Sequence, residues 1–147
     1  MGQYATYHYD GNLENTRFQF QSVGKRGVFE KVVYFTFLTE DMHNLSLVDF
    51  DPATKEYNDM SVTDNGDMPE ILATVIAIIH EFFNSHPDQK IYFRGSTPTR
   101  TRLYQIAISK VYDQDNSDLF IKGYLDEDWV PFEPNVNFHG FLVEKKF

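Results

Sequence analysis

The nine residues Arg94-Gly95-Ser96-Thr97-Pro98-Thr99-Arg100-Thr101-Arg102 hold the densest chemistry in this sequence. Three guanidiniums within one short stretch offer planar, bidentate donors suited to phosphate or carboxylate. Thr97-Pro98 reads as an N-cap hydroxyl followed by proline at the first helical position. A capping box would place Glu or Gln three residues after that cap, yet Arg100 stands there. A cation in a first helical turn opposes the macrodipole at a cost of about 0.3–1 kcal/mol, so something negative should compensate. Gly95 lets backbone approach closely, and the first-turn amides with the hydroxyls of Ser96, Thr97 and Thr99 make an anion pocket. The candidate anion-binding set is therefore Arg94, Gly95, Ser96, Thr97, Thr99, Arg100 and Arg102. Arg100 and Arg94 are the expected converging donors. Arg102 lies about 200° from Arg100 around a regular helix, so it braces from the side or pairs with a carboxylate. The competing reading ties all three arginines to carboxylates as a structural ion-pair network.

Other chemistries find less support. The loop matches neither G-x-x-x-x-G-K-[ST] nor G-x-G-x-x-G, so it carries no nucleotide fingerprint. Asp49, Asp51, Asp59, Asp64 and Asp67 could hold a divalent metal if loops gathered them. No EF-hand register fits, because aligning Gly66 with the required glycine puts Ser61 first and Leu72 last. Asn65-Gly66 is a turn signal and Asp67 has a capping position, so a solvated acidic loop is the simpler reading. His80-Glu81 lacks the second histidine of a zincin helix, and His8, His43, His86 and His139 have no metal spacing. Ser96 shares only the strand-turn-helix location of a nucleophile elbow. No catalytic residue, metal set or cofactor is assigned.

Composition narrows the partners. The 147 residues suit one domain, expected to span 1–147, and 13 Lys+Arg against 22 Asp+Glu leave a net charge of −9. Bulk adhesion to nucleic acid or to an anionic membrane is not expected of such a chain. There is no cysteine, which removes disulfides, thiolate zinc sites and a cysteine nucleophile together. Met1-Gly2-Gln3-Tyr4 opens no signal peptide, so a cytoplasmic protein is expected. Charge is nevertheless uneven: residues 41–70 hold eight acids and one base, and residues 89–112 hold five bases and no acid.

The elements that must position the arginines follow from periodicity. Residues 17–21 alternate strictly, placing Phe18 and Phe20 on one face. Gly24-Lys25-Arg26-Gly27 supplies a turn, and Val28 to Leu38 forms a long strand apolar on both faces, expected to be central and covered on two sides. In it Val33, Phe35 and Phe37 share one face. A third strand runs from His43 to Phe50 and stops at Asp51-Pro52. Asp67, Pro69 and Glu70 open a first helix with an N-cap and capping box. Its nine residues from Ile71 to Ile79 carry no charge. They are too few for a bilayer, which needs about 20, so the helix should be buried on most sides with Ile76 and Ile79 enclosed and the sheet curling around it. A short strand at Lys90–Arg94 leads to a second helix from about Pro98 to Tyr112, whose stripe is Leu103, Tyr104, Ala107, Ile108 and Val111. Strands at Leu119–Tyr124, Trp129-Val130 and Phe138–Lys145 complete an α+β domain, a curved, mostly antiparallel mixed sheet of about six strands packed around two helices. Phe18, Phe20, Phe35, Phe37 and Phe93 should share one core.

Gly95 to Tyr104, as Gly-Ser-Thr-x-x-Arg-Thr-Arg-Leu-Tyr, resembles the signature of a bacterial family of unknown function. Phe18, Phe20, Ser22 and Gly24, then Gly27 with Lys31, Asn44-Leu45, Asn65-Gly66-Asp67 and Leu72 to Val75 extend the resemblance over nearly the whole chain. Val48 stands where that family's pattern has glycine before Asp49. The resemblance implies a one-domain boundary and no particular activity. The leading functional expectation is a binding or regulatory domain that holds a phosphate, a nucleotide or an acidic segment of a partner protein at the Thr97 helix end. A small metal-dependent hydrolase or nuclease using the acidic loop is the second reading. A structural partner within a two-gene bacterial pair is the third, and the oligomeric state is left open.

Overall fold

The computed structural model describes residues 4–51, 53–58 and 66–146. Pro52, Asp59, Ser61, Asp64 and Asn65, which carry expectations above, lie outside the described residues. The N-terminal third forms the expected antiparallel meander: β1 (Tyr9–Gly11), β2 (Arg17–Gly24), β3 (Gly27–Thr39) and β4 (Met42–Asp51). Gly24 pairs with Gly27 across the β2–β3 turn, and Gly27 takes φ 119°, a conformation that side chains rarely tolerate. A short β5 (Glu56–Asn58), absent from the sequence reading, pairs with the end of β4. There follow α1 (Met68–Ser85), β6 (Lys90–Phe93), α2 (Pro98–Val111), β7 (Leu119–Leu125), β8 (Asp128–Pro131) and β9 (Phe141–Lys145).

The fold is α+β, with an unclosed, mostly antiparallel sheet in the order β1-β2-β3-β4-β6-β9-β7-β8 and β5 beside β4. Eight strands thus lie along one path instead of the expected six or so. The additional strands are β1 and β5, each of three residues, too short to leave a periodic signal. Among the described residues only the β4–β6 pairing is parallel, and its connection runs through α1.

Register explains the core. Phe35, Leu45, Phe93 and Phe141 stand abreast on β3, β4, β6 and β9, all in phase toward the helices. Phe82 of α1 stacks on Phe35 at 4.2 Å between ring centroids, and Tyr104 of α2 stacks on Phe93 at 4.8 Å. Both helices therefore lie on one face of the sheet, within one apolar cluster. Phe18, Phe20, Phe35 and Phe93 are buried there as expected, but Phe37 is 69% exposed. It has the right phase, and α1 ends at Ser85 before covering that end of the long β3 strand.

Three further corrections concern how the helices and the sheet cover one another. β3 is not covered on both faces: Thr36 and Leu38 are exposed, and of its opposite phase only Val32 is deeply buried. Ile79 is buried as expected, but Ile76 is only half-buried, on a flank with Ala73, Ala77 and His80. An uncharged helix need not be enclosed when two alanines make up much of its outer flank. In α2 the buried stripe is Thr101, Tyr104, Gln105, Ala107 and Ile108, while Leu103 is exposed. The helix phase there is set by polar anchors, including Gln105 Nε2 donating to Glu133 O at 3.0 Å. The last strand begins at Phe141, later than expected, because Phe138 turns into the core over Gly123, where a Cβ would come within 2.2 Å of its ring.

Candidate functional site

The chain leaves β6 at Phe93 and doubles back onto the first turn of α2. Thr97 has the extended dihedrals of an N-cap, and its Oγ1 accepts from the Arg100 N–H at 3.2 Å. Thr101, a turn further, is buried and holds the loop with the same hydroxyl twice. Its Oγ1 accepts from the Gly95 N–H at 3.0 Å and donates to Thr97 O at 3.1 Å. The loop sits so close to the helix that a Cβ on Gly95 would lie 2.5 Å from Arg100 Cβ and 2.6 Å from Thr101 N. Proline at the first position removes one donor, Thr97 caps a second, and the Thr101 N–H bonds Thr97 O at 3.0 Å. Thr99 therefore supplies the first-turn amide that faces solvent, and the other donors of the site must be side chains.

This arrangement encloses one side of a cleft of about 480 Å³. Arg94, Gly95, Ser96, Thr97, Thr99 and Arg102 of the predicted set border it, together with Thr101, Asn137 and His139. Arg100 borders neither this cleft nor the smaller one of about 240 Å³ beyond Arg94, which lies against Asn44 and Ser46 of β4. Its chain runs behind Gly95, and its Nη2 is shielded from water with no hydrogen-bond partner among the described residues. Of the two arginines expected to converge, Arg94 borders the cleft and Arg100 does not, while Arg102 borders it as well. Arg102 donates from Nη1 to Asn137 Oδ1. Among the described residues none of the three arginines makes an ion pair with a carboxylate, and no acid borders the larger cleft.

Asn137 and His139 escaped the sequence reading because they arrive from the loop before β9, far along the chain. Thr101 carried a signal, since hydroxyls four residues apart at 97 and 101 face the same side of a helix start.

A second polar assembly was also missed. Asp67 occupies the N-cap position of α1 without capping it. Its buried carboxylate instead accepts from Ser22 Oγ at 2.5 Å, and the Tyr7 hydroxyl lies 2.6 Å from the same oxygen. The expected capping box fails because these tertiary partners take the carboxylate. Burial, reinforced by Asp67, pushes the Tyr7 phenol up to about 12. The Tyr7 N–H donates to Thr74 Oγ1 at 2.8 Å, which binds the N-terminal segment to α1. Nearby on the same face of the sheet, buried Lys31 pairs with Asp49. Ser22 and Lys31 interrupt the Phe18/Phe20 and Val33/Phe35 phases, which is the pattern that could have marked them.

The acidic residues considered for a metal are engaged separately: Asp49 with Lys31, Asp51 with the Ala53 N–H at 2.9 Å, and Asp67 with Ser22. Asp59 and Asp64 lie outside the described residues, and among the described ones no group of three or more ligand side chains gathers. No helix of the described residues is long and apolar enough to cross a membrane.

A family model described as a family of unknown function, DUF6934, matches residues 3–146. No curated protein and no solved structure matches the chain.

Proposed function

We propose that this chain, which belongs to the DUF6934 family of unknown function, is a binding domain that holds an anionic, phosphate-bearing group in the cleft at the start of α2. One observation carries the reading. In a chain of net charge −9, a cleft lined by Arg94, Arg102 and His139 contains no carboxylate, and neither arginine has a carboxylate partner among the described residues. Two guanidiniums free of acids are a standing demand for negative charge, and Ser96, Thr97, Thr99 and the Thr99 N–H add neutral donors around it. The field of the surrounding acids limits such binding to ligands small enough to enter the cleft.

Isothermal titration with inorganic phosphate and pyrophosphate at low ionic strength tests this. Each charge-assisted hydrogen bond contributes about 1.5–3 kcal/mol. Arg94→Gln and Arg102→Gln should each weaken binding by about 10- to 100-fold while leaving unfolding free energy within about 0.5 kcal/mol, because both side chains are exposed. Arg100→Gln should leave affinity near that of the parent chain. Absence of phosphate and pyrophosphate binding in the millimolar range, or affinity unchanged in both cleft variants, refutes the proposal.

A further inference from the structure

The sheet face away from the helices carries a group of rings that adjoins this cleft. Trp129 of β8 stands opposite Tyr124 of β7, with ring centroids 5.1 Å apart. Tyr92 of β6 meets Trp129 edge-on at 6.1 Å. Tyr124 in turn meets the ring of His139 at 6.4 Å, and His139 borders the cleft. Tyr92 lies over Gly140, where a Cβ would come within 2.8 Å of the phenol oxygen, so glycine allows the ring to rest on the backbone beside His139. Arg94 follows Tyr92 by two residues and leaves β6 in the same phase. Tyr92, Tyr124 and Trp129 are half-buried and His139 is exposed, so each keeps ring surface open to solvent. His139 thus joins the ring group to the edge of the cleft that Arg94 and Arg102 also border.

We infer that the anion held in the cleft is the phosphate of a free nucleotide, whose base stacks on the ring of Trp129, which Tyr124 and Tyr92 flank. This rests on the anion-binding reading above. A bare phosphate has nothing to place on that ring, whereas every base has a π-face that stacks on aromatic side chains without a sequence fingerprint. The cleft volume of about 480 Å³ falls in the range of small-ligand sites. The far end of the ring group favours a single nucleotide over a strand. Asp126, Glu127 and Asp128 form the β7–β8 turn and lead directly into Trp129, so a phosphate continuing past the base would meet three acids.

Trp129 is the sole tryptophan, so its fluorescence reports stacking directly. The full chain is titrated by calorimetry and by fluorescence with AMP, GMP, CMP, UMP and ribose 5-phosphate at one fixed ionic strength. Stacking of one base is worth about 5- to 150-fold in affinity. At least one nucleotide should therefore bind about ten-fold or more tighter than ribose 5-phosphate and quench Trp129. Trp129→Ala should bring that nucleotide down to the affinity of ribose 5-phosphate, whose own affinity stays unchanged. Equal affinity for all five ligands with unaltered fluorescence overturns the nucleotide assignment and leaves the phosphate cleft standing. Failure of all five to bind removes the cleft reading itself. Tighter binding of a single-stranded oligonucleotide than of any mononucleotide overturns the assignment to a free nucleotide.

Discussion

Gly95→Ala perturbs the junction that aligns the two cleft arginines, and its cost can be worked from the packing. The added methyl would lie 2.5 Å from Arg100 Cβ, 2.6 Å from Thr101 N and 2.8 Å from Arg100 C. Two of these atoms are helix backbone and the third is a Cβ, so no flexible side-chain tip can swing aside. Restoring ordinary contact near 3.5 Å requires the loop and the first turn of α2 to part by about 1 Å. Overpacking of this kind costs about 1–3 kcal/mol. Alanine's smaller unfolded-state entropy returns about 0.4–1 kcal/mol. A net loss of about 1–2 kcal/mol follows, or a fall of roughly 2–8 °C in Tm for a chain of this size. The same displacement loosens the Gly95 N–H to Thr101 Oγ1 bond and shifts the first turn of α2, which carries Arg102, against the loop that carries Arg94, so phosphate affinity should fall as well. Urea unfolding of the variant, with an unchanged m-value, and calorimetric titration with phosphate measure the two effects. Thr99→Ala, an exposed α2 position, controls for stability. A Gly95→Ala chain with the parent's midpoint and phosphate affinity would refute the close packing on which this reasoning depends.

Further outcomes follow from burial and hydrogen bonding. Ile78, fully enclosed in α1, should cost about 2–5 kcal/mol on Ile78→Ala, and half-buried Ile76 markedly less in the same urea series. Asp67→Ala removes a carboxylate that accepts from Ser22 and Tyr7, at about 1.5–3 kcal/mol for each such bond, so its loss should exceed the ~1 kcal/mol typical of a missing N-cap. A loss of ~1 kcal/mol or less would return Asp67 to a capping role. Tyr7 keeps its proton in the folded state up to about 12 against an ordinary 10.0, so its contribution is complete below pH 10 and is lost as pH rises toward 12. Unfolding free energy should drop by up to about 2–3 kcal/mol over that window, and Tyr7→Phe should flatten the drop. Identical profiles for the two chains would sever the link to this phenol.

Local periodicity determined most of the scaffold. Alternation at Phe18 and Phe20, the Gly24–Gly27 turn, the uncharged run of α1 and the Thr97-Pro98 start of α2 each depend on neighbours a few residues away, and those the sequence states outright. The arginine loop was legible for the same reason, but the sequence left open whether carboxylates from elsewhere pair with it, and only the packed structure shows a cleft without them among the described residues. Tertiary packing decided the rest. Asp67 has the sequence of a cap, yet a tyrosine and a serine from distant strands took its carboxylate. Phe37 has the phase of a core residue, yet α1 ended too soon to cover it. Arg100 has the position of an anion donor, yet the close contact of Gly95 with the helix carried it behind the loop and left Arg94 and Arg102 to border the cleft. Asn137 and His139 reached the cleft, and Tyr124 reached His139, because β9 lies between β6 and β7, bringing strands remote in sequence side by side. Spacing along the chain sets which way a residue points within its own element; which elements meet is set by the burial of all their apolar faces at once, and the cleft lies where they meet.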